Sequence, residues 1–313
     1  MKIALDAMGG DFAPQAAVAG ALLAAERLAG KATIVLIGQE DAVRPLLRAA
    51  GFAADALEFV PASQVIDMGE HPAKAFQQKQ DSSIAVGYRL LHGGAVEAFC
   101  SAGSTGAMLV GAMLTVKPVS GVLRPAIANF VPKLSGQFGI LLDVGANAEC
   151  RPEMLEQFGE LGSLYAQYVL GIAHPLVGLM NLGEEEGKGT ALTQAAHQLL
   201  KINPHIHFVG NLEGRDLFNG KADVVVCDGF TGNILLKMAE SVHEIMADKH
   251  IHDPFFDRFN YEDVGGSPIL GINDNAIIGH GRSTPMAIGN MLVQGYNMAA
   301  SGIADQIKAT FKS

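Results

Sequence analysis

The chain has no tryptophan, only three cysteines and no excess of positive charge. Cys100, Cys150 and Cys227 are odd in number and widely spaced, which argues against a disulfide framework and is typical of reduced, cytosolic thiols. The formal net charge of −10 argues against extensive nucleic-acid binding, because that function needs a basic surface. Any acidic partner must therefore meet a local group of basic residues.

The sequence also lacks an uninterrupted apolar run of membrane-spanning length. The longest apolar segment, residues 164–182, is broken by polar residues, glycine and proline, so we expect no membrane span. Residues 1–5 lead directly into a predicted strand and leave no room for a signal peptide. We therefore expect a cytoplasmic protein.

A G-x-G-x-x-G motif followed by a ribose-binding acid is also absent from the sequence, which disfavours a dehydrogenase.

Three segments share one pattern, in which a short apolar strand leads into a glycine-rich turn and then into a helix. They cover residues 96–106, 140–147 and 222–239. Such a turn places backbone N–H groups at a helix N-terminus, where an anion can bind. Three turns of this kind predict a phosphate-binding cleft at the carboxyl ends of parallel strands.

The rest of the chain alternates predicted strands and helices, beginning with a strand at residues 2–6. This alternation and the length of 313 residues predict an α/β fold. We expect one domain over residues 1–313, organised as a single body or as two lobes around a central cleft. The polar residues 68–80 are interpreted as a solvated turn, and Asp81, Ser82 or Ser83 as the cap of the next helix.

The turns contain the candidates for binding substrate or phosphate. Lys79 is included because it stands beside a helix start, and His280 is either an acid–base residue or an ordinary turn histidine. The full set is Asp6, Gly9, Gly10, Lys79, Ser82, Ser83, Ser101, Gly103, Ser104, Thr105, Gly106, Asn147, Asp228, Gly229, Gly232 and His280.

Two other chemistries are less favoured. Cys100 and Cys227 stand at strand ends and could be acyl-enzyme nucleophiles, but buried structural thiols are the commoner interpretation. The His-Ile-His-Asp sequence at residues 250–253 has the composition of a metal site without a second ligand pair. We therefore expect neither a metal nor a cofactor.

Nine motifs, in chain order, resemble the bacterial phosphate acyltransferase family of phospholipid synthesis. This family makes acyl phosphate from acyl-acyl carrier protein (acyl-ACP) and inorganic phosphate. The motifs are ALDAMGGD (4–11), KQDSS (79–83), SAGSTGA (101–107), LLDVGAN (141–147), GEEEGKG (183–189), NLEGRD (211–216), CDGFTGN (227–233), GGSPILGIN (265–273) and IIGHG (277–281). The resemblance implies a three-layer α/β/α, Rossmann-like sandwich related to phosphate acetyltransferases and isopropylmalate-type dehydrogenases. It also implies a homodimer, and catalytic roles for Lys188 and Asn233.

The sequence departs from that family at two places. Position 104 is serine where the family usually has asparagine. Residues 242–264 are shorter than the corresponding basic, apolar segment, and they carry six acids against two bases. We therefore expect at most transient, peripheral contact with the inner membrane and its glycerol-3-phosphate acyltransferase. The aromatic residues of this segment are expected to pack on the protein body or across a dimer interface.

The acyl donor implied by the resemblance is itself acidic, so we expect basic residues to contact ACP. The candidates are Lys74, Lys79, Arg124 and Lys133. Two alternatives to this function remain. One is a phosphate acetyltransferase that uses coenzyme A, and the other is a non-catalytic module that binds phosphate or ACP.

Overall fold

The computed structural model describes residues 1–50 and 57–312. Its strands are β1 (Lys2–Asp6), β2 (Thr33–Gly38), β3 (Leu57–Pro61), β4 (Ala98–Ser101), β5 (Ala126–Pro132), β6 (Phe138–Leu142), β7 (Leu176–Met180), β8 (His207–Leu212), β9 (Val224–Val226), β10 (Ser267–Leu270) and β11 (Asn275–Ile278). Most of them are short apolar runs buried on both faces, as expected of strands covered by helices.

Helices alternate with these strands. They are α1 (Gln15–Arg27), α2 (Glu40–Ala49), α3 (Pro72–Gln78), α4 (Ser83–His92), α5 (Thr105–Gly111), α6 (Pro152–Tyr168), α7 (Ala191–Ile202), α8 (Gly229–Asp248), α9 (Tyr261–Val264), α10 (Pro285–Ser301) and α11 (Ile303–Phe311). A π-helical turn over Ala112–Val116 follows α5, and 3₁₀ turns cover Gly214–Leu217 and Phe256–Phe259.

The chain divides into two compact units. The first unit consists of Met1–Pro118 and Tyr261–Ala304. Its strands lie in the order β3-β2-β1-β4-β11-β10, and neighbours are parallel except for the antiparallel pair β10 and β11. The carboxyl ends of β1, β4 and β11 therefore meet at one edge of this sheet, and the turn that follows each strand starts there.

The second unit consists of Val119–Asn260 and Asp305–Ser313. Its strands lie in the order β5-β6-β9-β7-β8. Strands β5 and β6 form an antiparallel pair, whereas β6, β9, β7 and β8 are parallel to one another. The turns after β6 and β9 and the loop after β7 therefore leave neighbouring strands at the same edge.

The prediction of a solvated turn over residues 68–80 is wrong. Helix α3 begins there with Pro72 in its first turn, a position that suits proline, and it buries Ala75 and Phe76. Ser82 is the residue that caps α4, since its hydroxyl oxygen accepts a hydrogen bond from the backbone N–H of Ala85. The segment is therefore helical and partly buried although its composition is mostly polar.

Two aromatic residues of the acidic segment, Phe255 and Phe259, pack against Phe218 within the second unit. The Phe218 ring meets the Phe255 ring at a centroid distance of 5.9 Å and the Phe259 ring at 5.2 Å, both edge to face. Such pairs add to the free energy gained from burial alone. For Phe255 and Phe259, this arrangement matches the first of the two expected alternatives, packing on the protein body. Across the described part of the chain, no helix has the length and apolar character needed to cross a bilayer.

Candidate active site

In the first unit, a buried carboxylate joins two of the predicted turns. Asp6 ends β1 and is only 2% exposed. Its Oδ2 atom accepts a hydrogen bond from Ser101 Oγ at 2.7 Å, and its Oδ1 atom accepts one from the Met8 N–H at 2.9 Å. Burial raises the pKa of the Asp6 carboxyl, while hydrogen bonds from Ser83 and Ser101 act in the opposite direction. Asp6, Ser83 and Ser101 thus form one hydrogen-bonded group.

The glycines of these turns allow the backbones to approach closely. A methyl group on Gly9 would lie 2.6 Å from both Asp6 Oδ2 and the Gly103 nitrogen. Gly103 N–H in turn donates to Ser101 Oγ at 3.0 Å. The Asp11 N–H donates to the carbonyl of Gly281 at 2.7 Å, which joins the turn after β11 to the turn after β1. The structure therefore brings Asp6, Gly9, Ser101 and Gly103 together, as the sequence predicts.

Other predicted residues of the first unit have local structural partners. Ser104 caps α5 by accepting from the Ala107 N–H at 3.3 Å. The His280 Nδ1 atom accepts from the Arg282 N–H at 3.2 Å. Thr105 and Gly106 are the first two residues of α5, and Gly10, with a φ of +99°, lies in the turn after β1.

The Lys79 ammonium group is bound by other residues of the first unit. Its ammonium group forms an ion pair with Glu70 and donates to the Val65 carbonyl at 2.7 Å. The hydrogen bond from Lys79 lowers the pKa of Glu70. These contacts hold the segment that precedes α4, so phosphate would have to compete with them for this lysine.

The second unit contains a buried carboxylate that sequence reasoning missed. Asp143 follows β6 directly, is fully buried and organises the turn behind it. It accepts five hydrogen bonds, from the backbone N–H groups of Ile127, Gly145, Ala146 and Asn147 and from the side-chain amide of Asn147. Burial raises the pKa of Asp143, and the N–H donors act against that shift. Its position after an apolar strand in the LLDVGAN motif was the available signal.

The turn over residues 143–147 packs against the start of α8. The sequence predicts a glycine turn over residues 228–233, but residues 229–233 are already helical and Asp228 is the N-cap. Gly229 N–H donates to the Asn147 carbonyl at 2.8 Å, and Asn233 Nδ2 donates to the Val144 carbonyl at 3.2 Å. Asp228 caps α8, since its carboxylate accepts from both the N–H and the hydroxyl of Thr231. Asn233 itself is exposed and is the fifth residue of this 20-residue helix. Its bond to Val144 uses one of the two amide hydrogens, which leaves the other for a ligand.

The loop over residues 183–189 follows β7, and its glutamates are largely neutralised. The ion pairs are Glu184 with Lys221 at 2.8 Å and Glu186 with Lys201 at 2.9 Å. These contacts account for two of the three adjacent acids, which sequence reasoning assigned to a functional loop. Within the described residues, Lys188 is exposed and has no carboxylate partner for its ammonium group.

Backbone contacts fix the loop around Lys188. Asn181 Nδ2 donates to the Lys188 carbonyl at 3.1 Å. Gly189 has a φ of +96°, and a methyl group there would lie 2.1 Å from Asn181 Oδ1 and 2.2 Å from Thr193 Oγ1. Only glycine fits this position, so the chain is closely held directly after Lys188.

The cysteines have the properties of structural thiols. Cys100 and Cys227 are buried, and burial raises the pKa of both thiols well above the usual range. Cys150 is partly buried, and its pKa is raised to about 12, mainly by desolvation. A thiolate is therefore disfavoured at all three positions. Over the same described residues, no group of His, Cys, Asp and Glu side chains is arranged to hold a metal ion.

Lys133 does not belong to the expected basic surface for ACP. Its side chain is 4% exposed and forms an ion pair with Asp223. The carbonyl of Lys133 also accepts a hydrogen bond from Arg258, whose guanidinium lies over the Phe138 ring at 4.2 Å. Lys74 and Arg124 are exposed, as that interpretation requires.

The fold and the strand-end turns define a protein of the phosphotransacetylase fold class. The structure is similar to EutD phosphotransacetylase from Staphylococcus aureus, with a TM-score of 0.68 over 96% of this chain and 94% of that chain. The sequence identity of 17% means that this similarity concerns the fold alone. It confirms the predicted α/β architecture.

The chain belongs to the fatty acid synthesis protein family, whose model matches residues 1–306. It is 46% identical over 313 aligned residues to a phosphate acyltransferase from Heliobacterium modesticaldum, covering 93% of this chain and 92% of that protein. It is 40% identical over 332 aligned residues to a phosphate acyltransferase from Salinibacter ruber, covering 100% and 98%. These relatives confirm the family resemblance found in the nine motifs.

Proposed function

We propose that this protein transfers a fatty acyl group from acyl-ACP to inorganic phosphate, and so provides acyl phosphate for phosphatidic acid and phospholipid synthesis. The relatives over nearly the whole chain are named phosphate acyltransferases, which supports an enzyme of this class. The ordered motifs support ACP as the donor, since they resemble the family that uses it.

The reaction needs positioned charges more than it needs a protein nucleophile. A phosphate oxygen attacks the thioester carbonyl, the carbon–sulfur bond breaks, and a new carbon–oxygen bond forms the mixed anhydride. The leaving thiolate belongs to a thiol of pKa about 8.5, so it departs without a strong acid and later takes up a proton. Catalysis then consists mainly of proximity and of preorganised donors for the developing oxyanion. Buried, neutral cysteines are compatible with this scheme.

The roles of Lys188 and Asn233 are assigned from their common position in the second unit. Lys188 and Asn233 follow β7 and β9, which are neighbouring parallel strands, so both start from the same edge of the second unit. Lys188 is an exposed cation without a carboxylate partner among the described residues, and Asn233 is an exposed amide with a spare hydrogen. We assign Lys188 to phosphate or to the oxyanion, and Asn233 to a donated hydrogen bond.

The other predicted residues are assigned to substrate binding or to holding the turns. Asp6, Ser83 and Ser101 hold the first-unit turns that contain Gly9, Gly10, Ser82 and Gly103–Gly106, and His280 follows in the turn after β11. Asn147, Asp228, Gly229 and Gly232 hold the second-unit turns from which Asn233 projects. We propose that backbone N–H groups in these turns contact phosphate or the acyl donor.

A phosphate acetyltransferase that uses acyl-CoA is the second candidate, favoured by the structural similarity to EutD phosphotransacetylase. Incubation with palmitoyl-ACP or palmitoyl-CoA, with and without phosphate, separates the candidates through thiol release and acyl phosphate formation. We expect phosphate-dependent release of ACP thiol. Release that proceeds equally without phosphate would identify a thioesterase, and release only from the coenzyme A thioester would identify the second candidate.

We further propose that the protein is a cytoplasmic homodimer. Helix α8 supports this, because Phe230, Ile234, Met238 and Ile245 are 50–64% exposed and recur at helical spacing along one stripe. The end of α8 and the segment after it are acidic, which disfavours anionic lipid as the cover of that stripe. We therefore propose only transient contact with the inner membrane and its acyltransferase. Sedimentation equilibrium of Met238→Glu tests the dimer, and co-sedimentation with anionic vesicles at physiological salt tests the membrane contact.

A further inference from the structure

Side chains from outside the Lys188 loop hold its backbone. One face of α7 carries four such side chains, Gln194, His197, Gln198 and Lys201. Three of them contact the loop directly, and His197 contacts Asn211, which binds the loop. Gln194 Nε2 donates to the carbonyls of Gly187 at 2.9 Å and Gly189 at 3.2 Å. Together with the bond from Asn181 to the Lys188 carbonyl, three consecutive carbonyls centred on Lys188 are fixed.

A buried pair on α7 and β8 fixes the earlier part of the loop. His197 is 6% exposed and Asn211 is 2% exposed. The His197 Nδ1 atom lies 2.8 Å from Asn211 Oδ1, and Asn211 Nδ2 donates to the Glu185 carbonyl at 2.9 Å. That same carbonyl accepts the Lys188 backbone N–H at 3.0 Å. A continuous set of hydrogen bonds therefore joins the His197 ring to the backbone of Lys188.

The direction of each bond follows from the chemistry of the amide. Because Asn211 Nδ2 faces a carbonyl acceptor, Asn211 Oδ1 must face the imidazole, so Nδ1 of His197 carries the hydrogen and donates it. The Phe208 ring meets the imidazole edge to face at a centroid distance of 5.1 Å and restricts its rotation. The other ring nitrogen lies 3.9 Å from Glu186 Oε1, beyond a hydrogen bond.

We propose that His197 and Asn211 are positioning residues, which hold the Lys188 ammonium where acyl transfer to phosphate requires it. This inference rests on the proposed function and adds two residues to its machinery. If its loop were free to move, the exposed Lys188 ammonium group would rarely occupy the position that the reaction requires. A misplacement of about 1 Å can reduce a rate about 10²-fold. Both residues are buried, they lie 9 and 23 positions after Lys188, and neither was a candidate from the sequence.

The test compares two substitutions at one position, each made with and without Lys188. His197→Asn retains a donor near the Nδ1 position, whereas His197→Leu removes it and leaves Asn211 Oδ1 unpaired. We expect His197→Leu to lower kcat about 10- to 100-fold with little change in the KM for acyl-ACP, and His197→Asn to restore most of the loss. In the Lys188→Ala background, His197→Leu should cause no further loss of kcat. The same fold-loss in both backgrounds would overturn the inference, since His197 would then act independently of Lys188.

A surface substitution keeps the test valid if His197→Leu does not fold. Gln194 is exposed, so Gln194→Ala should fold normally while freeing the carbonyls beside Lys188. We expect a lower kcat that also disappears in the Lys188→Ala background, and Ala195→Ser on the same helix is the matched control. Wild-type kcat in Gln194→Ala would count against the positioning role.

Amide hydrogen exchange separates failure of this inference from failure of the proposed function. Exchange at residues 185–189 should accelerate in His197→Leu and stay near the wild-type rate in His197→Asn, whatever the substrate is. Unchanged exchange in His197→Leu would overturn the inference even in an active enzyme. Absence of phosphate-dependent thiol release by the wild-type protein would instead refute the proposed function.

Discussion

A methyl group placed on Gly232 would lie 1.9 Å from the carbonyl oxygen of Asp143, so these two residues are in direct contact through their backbones. Asp143 begins the glycine turn over residues 143–147, and Gly232 lies in the first turn of α8. The contact explains how Asn233, the next residue, is fixed against the Val144 carbonyl. The candidate catalytic amide thus depends on a backbone approach that only glycine permits.

Gly232→Ala should therefore lower the free energy of unfolding by roughly 3 kcal/mol or more, because a backbone carbonyl cannot move aside as a side chain can. Urea denaturation of the variant and the wild type measures this difference. Gly214→Ala is the control, since a methyl group at that exposed position would have no described atom within 4 Å apart from its chain neighbours. Equal losses in the two variants would show that the contact between the turns is not the cause.

Lys188→Ala should lower kcat by about 10²-fold or more, because it removes a positive charge that no carboxylate in the described part of the chain neutralises. Asn233→Ala should cause a loss of similar size while leaving the fold intact. Steady-state kinetics with acyl-ACP and phosphate measure both effects, and Lys31→Ala, at an exposed lysine of the first unit, is the control. Near-normal turnover in either variant would remove that residue from the catalytic set.

The stability difference between the wild type and Asp6→Asn should depend on pH. Burial raises the pKa of the Asp6 carboxyl above its ordinary value of 3.8, so the folded protein retains a proton that the unfolded chain has released. The stabilisation from this group is fully present below a pH of about 4 and is lost as the pH rises through the folded-state pKa.

Asparagine does not titrate, so Asp6→Asn should gain stability relative to the wild type as the pH rises from about 4 to 7. Urea denaturation of both proteins at several pH values across this range measures the difference. A difference that stays constant over the whole range would contradict the raised pKa.

Charge reversal at Lys74 and Arg124 should raise the KM for acyl-ACP more than the KM for phosphate, because ACP is the acidic macromolecule. The salt dependence of kcat/KM should also weaken, since fewer charges remain to attract it. Kinetics at several ionic strengths test Lys74→Glu and Arg124→Glu, and Lys31→Glu is the matched control. Unchanged salt dependence in the double variant would place the contact surface elsewhere.

Much of the local structure could be predicted from the sequence, because its causes lie within a few residues. The apolar run at residues 224–227 predicts a strand, residues 228–233 a glycine turn and the following residues a helix. Strand β9 forms there, whereas α8 already begins at Gly229 and Asp228 caps it. The Ser101 turn and the Ser82 cap follow from the same short-range rules. Helix α3 was missed, because its two buried residues, Ala75 and Phe76, are covered by neighbours distant in the chain.

By itself, the sequence determined the alternation of strands and helices, the glycine turns and the family, because these depend on short-range pattern and on ordered motifs. Only the tertiary structure decided which charges remain available. Lys79 is paired with Glu70 and Lys133 with Asp223, whereas Lys188 keeps its ammonium group exposed. These differences come from partners 9 and 90 residues away, in ion pairs that form only when the chain is folded. Asp143 and His197 could not be identified from the sequence for the same reason, because their roles depend on hydrogen bonds to other segments.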